Sequence, residues 1–332
     1  MEAGNSREAS GDIAREGRRK YRVALLSVGS NCLLVGLKVA VGLLTGSVSI
    51  LSEAAHSAMD LLAAIIAAIA VSRASRPADR GHLFGHGKFE NLSGALEALL
   101  ILAAAAFISW EAIGKLIQGG ELEHLEAGLG VMALSVVVNT LVSRRLLRIA
   151  RQTESIALEA DALHLRTDVW TSLGVMGSLG IIYVSDLLIV DPEANIRFHT
   201  LDPIVALLVA ALIVRAAWSL LRRSLEGLLD QPLPAEEDRI IREILSSQEE
   251  EFLEFHELRH RKSGPERHID LHLVVSPQAT VGQVHALCDK IETLIQTRLP
   301  RAKVLIHAEP CKRLDCPKCR AREACGAREA QL

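Results

Sequence analysis

Residues 49–71 read SILSEAAHSAMDLLAAIIAAIAV, an apolar run that carries Glu53, His56 and Asp60. The run is long enough to cross the hydrocarbon core of a membrane, which takes about 20 apolar residues of α-helix. His56 and Asp60 are four residues apart, so they share one face of that helix. An aspartate near the centre of a membrane helix costs about 2.5–3.5 kcal/mol on insertion scales, so the pair is a functional candidate.

Six apolar runs of this length occur in the 332-residue chain, at residues 23–44, 48–71, 92–117, 125–142, 156–184 and 203–221. Basic residues cluster before the first run, between the second and third, between the fourth and fifth, and after the sixth. Because basic loops are retained on the cytoplasmic side, we expect a six-helix, all-α membrane bundle with both termini in the cytoplasm, in a cell (inner) membrane. The polar residues 1–22 contain no apolar segment typical of a signal peptide, so we assign them to a cytoplasmic N-terminal segment.

The sequence changes character after the bundle, which we place at residues 23–221, and a linker at residues 222–234. Residues 235–248 and 281–299 have the pattern of amphipathic helices, and residues 255–264 and 302–309 that of strands. ERHIDLHLVVS, at residues 266–276, alternates between apolar and polar side chains, as a half-buried strand does. The αββαβ order predicts a small ferredoxin-like or metallochaperone-like α+β domain at residues 235–310, in the cytoplasm.

The fifth run repeats the pattern of the second. It reads ADALHLRTDVW at residues 160–170, with His164 and Asp168 again four apart. Two imidazoles and two carboxylates from two helices can complete a tetrahedral shell for Zn²⁺, which takes nitrogen and oxygen ligands at about 2.0–2.2 Å. Ligand type does not separate zinc from cobalt, cadmium, nickel or iron. The alternative is that the two pairs are hydrogen-bonded contacts between helices.

Four segments together resemble the cation diffusion facilitator family of divalent-metal/proton antiporters. They are SILSEAAHSAMDLL (49–62), RPADRGHLFGHGKFENLSG (76–94), DALHLRTD (161–168) and IHAEP (306–310). The resemblance implies a six-span homodimer with a cytoplasmic metal-binding domain, and a transport site made of His56, Asp60, His164 and Asp168. Many bacterial members have aspartate at the position of His56, and the set of two histidines and two aspartates is typical of zinc transport.

The resemblance also implies metal sites outside the membrane. One is in the loop PADRGHLFGHGK, with ligands Asp79, His82 and His86. The other is in the C-terminal domain at the dimer interface, with ligands His256, His272, His285, His307 and Glu309. Relatives with this cluster have aspartate where Glu309 stands. Lys88 and Asp230 form a candidate ion pair that would couple the membrane domain to the soluble domain.

The tail at residues 311–332 contains four cysteines within fifteen residues: Cys311, Cys316, Cys319 and Cys325. One C-x2-C spacing with flanking cysteines predicts either a zinc knuckle or spare thiols. Glu53 and Asp161 each precede a site histidine by three residues, so they either line the exit path or orient the imidazoles, or else lie exposed near the outer ends of their helices. Lys38, Glu97 and Arg166 also lie in apolar runs, where we expect buried pairs or side chains that reach the interface, without a role in transport.

A metal/proton exchange is consistent with the charges of the site. Zn²⁺ with two carboxylates and two neutral imidazoles is neutral, and so is the metal-free site with both histidines protonated. Because imidazole titrates near neutral pH, we expect His56 and His164 to carry the protons. A non-transporting membrane sensor or scaffold is the alternative from another class. The net charge of −3 gives no indication of nucleic-acid binding, and the absence of an H-E-x-x-H motif argues against an intramembrane metallohydrolase.

Overall fold

The computed structural model describes residues 2–45, 48–118, 126–188 and 201–312, which divide into two units, Met1–Glu226 and Gly227–Leu332. The described residues of the first unit are helical apart from the connections between helices, of which the loop at residues 75–87 is the longest. Its helices are α1 (Glu2–Thr45), α2 (Val48–Ala74), α3 (Lys88–Gln118), α4 (Glu126–Thr153), α5 (Ile156–Leu188) and α6 (Leu201–Leu228).

Four of these helices contain a described stretch that is long and apolar enough to cross a membrane. The stretches are Arg15–Leu44, Ser57–Ala74, Lys88–Gly114 and Pro203–Leu228. They correspond to the first, second, third and sixth predicted runs. Helices α4 and α5 lie at the positions of the fourth and fifth runs, and the first half of α5 carries Asp161, Arg166 and Asp168. The predicted helical membrane region is confirmed, with four apolar helices among the residues described.

Small residues line the inside of the helical unit and large apolar residues face outward. Ala67 and Ala98 are fully buried, whereas Leu33, Phe107 and Trp110 are largely exposed. This distribution suits a bundle in lipid, where helix contacts depend on the close approach that small side chains allow. The outward apolar side chains would then face the bilayer.

Gly94 shows how closely the helices approach. A Cβ atom at this position of α3 would lie 2.7 Å from Oγ of Ser224 on α6 and 3.4 Å from Cγ2 of Ile156 on α5. Such a separation from Ser224 is too short for a real contact, so glycine at this position lets the helices meet without a shift of the Ser224 side chain. Gly94 therefore marks a close approach of α3 to the start of α5, two turns before His164.

The C-terminal unit has the predicted αββαβ order. Its elements are α7 (Ala235–Ser247), β1 (Glu254–Ser263), β2 (Glu266–Val275), α8 (Val281–Arg298) and β3 (Ala302–Pro310). The strand order is β1-β2-β3, with β2 antiparallel to β1 and parallel to β3. The predicted small α+β domain is therefore confirmed.

The alternation along β2 divides the sheet into two faces. Ile269, Leu271, Leu273 and Val275 are buried and form a core with apolar residues of both helices, including Ile241 of α7 and Ile291 of α8. The intervening residues of β2 point to the other face, which is free of these helices. That other face carries the histidines.

Candidate metal centres

Helices α2 and α5 bring three predicted ligands together inside the helical unit. Nε2 of His164 donates to Oδ1 of Asp60 at 2.9 Å, and ligand atoms of Asp60, His164 and Asp168 all lie within 4.8 Å of one another. The side chains of Asp60 and His164 are only 9% and 13% exposed. His164 and Asp168 come to the same side because they are one helical turn apart on α5. His56 lies on α2, but its side chain is outside the part of the structure that is described.

Asp161 lies one turn before His164 and joins α5 to α1. Its Oδ1 atom accepts a hydrogen bond from Oγ of Ser27 at 3.0 Å, while its Oδ2 atom is buried without a partner among the described residues. A role as an orienting acceptor for His164 therefore stays a prediction. The same holds for Glu53, whose side chain lies outside the described residues.

The other ionisable residues of the apolar runs differ from one another. Lys38 is buried and donates to Oγ of Ser57 at 2.6 Å. Arg166 is exposed, and its guanidinium carbon lies 5.3 Å from the ring centroid of Trp170. Glu97 is fully buried, and neither carboxylate oxygen has a hydrogen-bond partner in the described part of the chain. The expected pairing is thus wrong for Glu97.

An ion pair that the sequence analysis did not identify joins α1 to α3. Nζ of Lys20 lies 3.0 Å from Oε1 of Glu90, and both side chains are buried. The two residues are seventy positions apart in the chain. Only the rotation of both helices about their axes makes them meet, and no local sequence pattern reports that rotation.

The loop between α2 and α3 brings together Asp79, His82 and His86, as predicted. Nε2 of His86 lies 3.3 Å from Oδ2 of Asp79, and Nδ1 of His82 lies 3.6 Å from Oδ1. Gly85 has a φ of 84°, a conformation that favours glycine and turns the chain between the two histidines. Backbone hydrogen bonds from His82 and Gly81 lower the pKa of Asp79, so the carboxylate is held ionised and aimed at the two rings.

The C-terminal unit aligns three histidines across its sheet. His256 on β1 pairs with His272 on β2, and His272 pairs with His307 on β3. The ring centroids are 5.3 Å apart for the first pair and 4.8 Å for the second. We call these three residues the histidine row. It lies on the sheet face opposite the core because His272 alternates with Leu271 and Leu273.

Glu309 completes this cluster from β3. Its Oε1 atom accepts from Nδ1 of His272 at 2.6 Å and lies 3.3 Å from Nε2 of His256. One ligand atom each of His256, His272 and Glu309 lies within 4.8 Å of the other two. The hydrogen bond from His272 lowers the pKa of Glu309, which favours the ionised form that a metal ion requires. The glutamate therefore reaches the histidines from this position.

Two features of this cluster differ from the sequence analysis. The three-residue group within 4.8 Å includes neither His285 nor His307. His285 is exposed on α8 and lies 3.6 Å from Asp289, and His307 approaches the group through its ring contact with His272. Glu257 was not predicted, yet its Oε2 atom lies 3.6 Å from Nε2 of His272. Glu257 has a φ of 48° at an irregularity in the β1–β2 register, and a β-bulge of this kind redirects a side chain.

The remaining predicted residues are only partly described. Asp230 accepts from Nη1 of Arg261 at 3.0 Å within the C-terminal unit. The Lys88–Asp230 pair would join the two units, which are described separately, so it stays a prediction. Cys311 is a free, half-buried cysteine. Cys316, Cys319 and Cys325 lie outside the described residues.

Two family profiles match the chain, one over its helical part and one over its C-terminal part. The family profile for the cation efflux transmembrane domain matches residues 24–229, and the profile for the cytoplasmic domain of cation efflux proteins matches residues 233–311. The second profile is named for a dimer, which supports the predicted homodimer.

Curated relatives match most of the chain. The uncharacterized transporter sll1263 of Synechocystis is 36% identical over 287 residues, covering 86% of this chain and 89% of that protein. The cation-efflux pump FieF of Salmonella agona is 30% identical over 295 residues, covering 89% and 94%. A solved structure of CzrB, described as a candidate zinc transporter, covers 24% of this chain and 98% of that one at 36% identity. Its TM-score of 0.23 is too low to support a conclusion about the fold.

The chain belongs to the cation efflux family, also called the cation diffusion facilitator family. It is a multi-pass membrane protein and a transporter for the efflux of divalent metal cations.

Proposed function

We propose that this transporter exports Zn²⁺ from the cytoplasm in exchange for protons, across a cell (inner) membrane with both termini in the cytoplasm. The single observation that carries the proposal is the largely buried group of Asp60, His164 and Asp168 on two helices. Ligands of this type suit zinc, whereas Mg²⁺ and Ca²⁺ bind through oxygen ligands. His56, four residues before Asp60, would supply the fourth ligand.

The exchange follows from the cost of net charge in an apolar site. Two ionised aspartates bind a divalent cation without excess charge when both imidazoles are neutral. When the metal leaves, protonation of His56 and His164 restores the same balance, so neither form carries net charge through a medium of low dielectric constant. The 2.9 Å contact between His164 and Asp60 supports this, because a protonated imidazole beside a carboxylate can replace part of the metal's charge.

The two sites outside the apolar helices have a different proposed role. Asp79, His82 and His86 would bind zinc in the loop between α2 and α3. The histidine row with Glu309 would bind zinc at the dimer interface, where His285 of a second subunit can approach, and would stabilise the dimer when cytoplasmic zinc is high. The tail cysteines would capture metal.

Zinc flux into liposomes under an imposed pH gradient tests the main proposal. We expect zinc to move with the proton gradient in the unmodified chain and to stop in Asp168→Ala. Thr167→Val is the matched control, because Thr167 is a buried neighbour on α5 whose hydroxyl bonds to Leu163 of the same helix. Flux that ignores the pH gradient would refute proton exchange, and zinc that binds without crossing would favour a sensor or scaffold.

Metal choice is tested in the same liposomes by offering cobalt, cadmium, nickel, iron and manganese in place of zinc. If His56 is a ligand, His56→Asp replaces a nitrogen donor with oxygen and should shift the preference away from zinc, toward cadmium or manganese. Unchanged preference would remove His56 from the site.

A further inference from the structure

The C-terminal unit has a groove that borders the histidine row and has no part in the proposed function. Its volume is about 960 Å³, and its lining residues come mainly from the end of α7, the start of β1 and the end of β3. Buried Leu245, Phe252 and Leu253 form its apolar part. Two further lining residues, His256 and Glu309, also belong to the metal cluster of the sheet. The groove is therefore a neighbour of that cluster.

The polar part of the groove is acidic. Glu249 and Glu254 are exposed lining residues, and Glu309 adds a third carboxylate. Among the lining residues that the structure describes, Lys312 is the only lysine or arginine. The groove thus combines an apolar part with an excess of negative charge. It suits a ligand that is basic and partly apolar, because complementary charge favours the right partner and repels others.

The described part of the chain ends in this groove. The backbone N–H of Cys311 donates to the carbonyl oxygen of Val275 at 3.0 Å, and Cys311 packs against buried Leu253. Lys312, the last described residue, also lines the groove. Residues 313–332 follow directly in the sequence. The tail therefore starts at the groove and is tethered to it.

The first half of the tail has the complementary composition. Residues 313–322 read RLDCPKCRAR, with four basic residues, one acidic residue and the apolar Leu314. A single exposed ion pair contributes little, so one charge alone would not hold the segment in the groove. Several pairs together with an apolar contact can do so, because a short tether gives the segment an effective concentration of about a millimolar at the groove.

We propose that this groove is the docking site of residues 313–322 of the same chain. The basic side chains of the segment pair with the glutamates of the groove, and Leu314 covers the apolar part formed by Phe252 and Leu253. The docking needs no metal ion, so it does not depend on the proposed zinc exchange.

Docking also keeps the tail cysteines close to the histidine row. Cys316 is four residues beyond Lys312, and an extended chain spans at most about 3.3–3.6 Å per residue, so the two stay within roughly 15 Å of each other. Lys312 lines the same groove as His256 and Glu309. Metal captured by the tail is then held beside the row. This consequence rests on the proposed function of the tail and of the row, whereas the docking itself does not.

Hydrogen–deuterium exchange of the purified full-length chain tests the docking directly. In a chain that ends at Lys312, the backbone amides of residues 246–254 should exchange several-fold faster than in the full-length chain, because the segment no longer covers them. Helix α8 contributes none of the described lining residues, so its amides are the internal control and should be unchanged. Equal exchange of residues 246–254 in the two chains would overturn the proposal, and would do so equally if a second subunit covers the groove.

A second measurement changes one charge of the groove. A synthetic peptide of residues 313–332, with serine in place of its three cysteines, is titrated without metal onto the chain that ends at Lys312. Glu254→Lys in that chain should weaken peptide binding by about 2- to 10-fold, since it replaces an attraction with a repulsion. Added salt should weaken binding as well. Glu250→Lys makes the same change at an exposed glutamate outside the lining, and this control should bind the peptide like the unmodified groove.

A peptide that does not bind, or that binds equally to the Glu254→Lys and Glu250→Lys chains, would also overturn the docking site. Neither measurement uses zinc or a pH gradient. A failure of zinc flux in liposomes would contradict the proposed function and leave these results as they are, so the two failures are distinguishable.

Discussion

The helical unit and the C-terminal unit each place a carboxylate against a histidine, but in opposite surroundings. Asp60 and His164 form a 2.9 Å contact on helices whose outer surfaces are apolar, with both side chains largely buried. Glu309 and His272 form a 2.6 Å contact on an open sheet face, where each side chain is about one quarter exposed. The same carboxylate–imidazole contact thus occurs once in a buried site, where an unbalanced charge has a large desolvation cost, and once on a partly exposed surface, where water screens the charge.

This contrast separates the roles that the two clusters can have. A buried site must exchange one cation for another, because an uncompensated charge there carries a large desolvation cost. A half-exposed site can gain or lose a metal ion while water and nearby charges compensate. We therefore propose a transport role for the first cluster and a regulatory role for the second.

The largest effect that tests this contrast is the loss of a carboxylate from each cluster. Asp60→Ala should reduce zinc flux in liposomes by more than about 100-fold, because partners outside the ligand shell already cost about 10–100-fold and a ligand costs more. Glu309→Ala, the matching change on the sheet, should reduce flux only a few-fold. Equal losses in the two variants would show that the clusters do not differ in role.

Zinc binding to the C-terminal cluster provides the second test. His272→Ala removes the central member of the histidine row and should weaken the zinc site of that unit by at least about tenfold in calorimetry of the full chain. His285→Ala reports whether the exposed histidine of α8 takes part through a second subunit. If His272→Ala leaves zinc affinity intact, the row is not a metal site.

Packing of the helical unit gives a third, smaller effect. Gly94→Ala would place a Cβ atom 2.7 Å from Oγ of Ser224, and overpacking of this kind typically costs about 1–3 kcal/mol. The melting temperature in detergent should fall, and flux should fall with it because α3 is displaced from α5. Gly114→Ala on the same helix meets no atom within 4 Å and should melt like the unmodified chain.

The smallest effect concerns Asp238 in the C-terminal unit. Hydrogen bonds from Arg242 and His260 lower its pKa, so they stabilise the fold above the ordinary aspartate range, near pH 4, and the contribution is lost as pH falls through the lowered value. Because Asp238 is near the surface, Asp238→Asn should cost less than about 1 kcal/mol at pH 7. Chemical denaturation at pH 7 and at low pH measures this, and a larger cost at low pH would contradict it.

The sequence predicted much of the fold because apolar length and alternation are local properties. Apolar runs marked the helices, and the alternation along β2 identified Ile269, Leu271 and Leu273 as its buried face. The spacing of His164 and Asp168 placed two ligands on one face of α5. These features require only the geometry of a single helix or strand.

Local sequence patterns did not predict the contacts between elements that are far apart in the chain. The buried ion pair of Lys20 and Glu90 depends on how α1 and α3 are rotated about their axes. That Glu97 has no hydrogen-bond partner among the described residues depends on which side chains the neighbouring helices place beside it. The approach of Glu257 to His272 depends on a local irregularity in β1. None of these has a periodic signal in the sequence.

The histidine row also bears on how the C-terminal sheet forms. Its members occupy one position on each of three strands, and a slip of one residue would turn His272 toward the core and Leu271 or Leu273 outward. Any ion that the row binds ties the two outer strands to the central one in a single register. Metal that is available during synthesis would therefore favour chains whose three strands are paired in the correct register before they meet a second subunit.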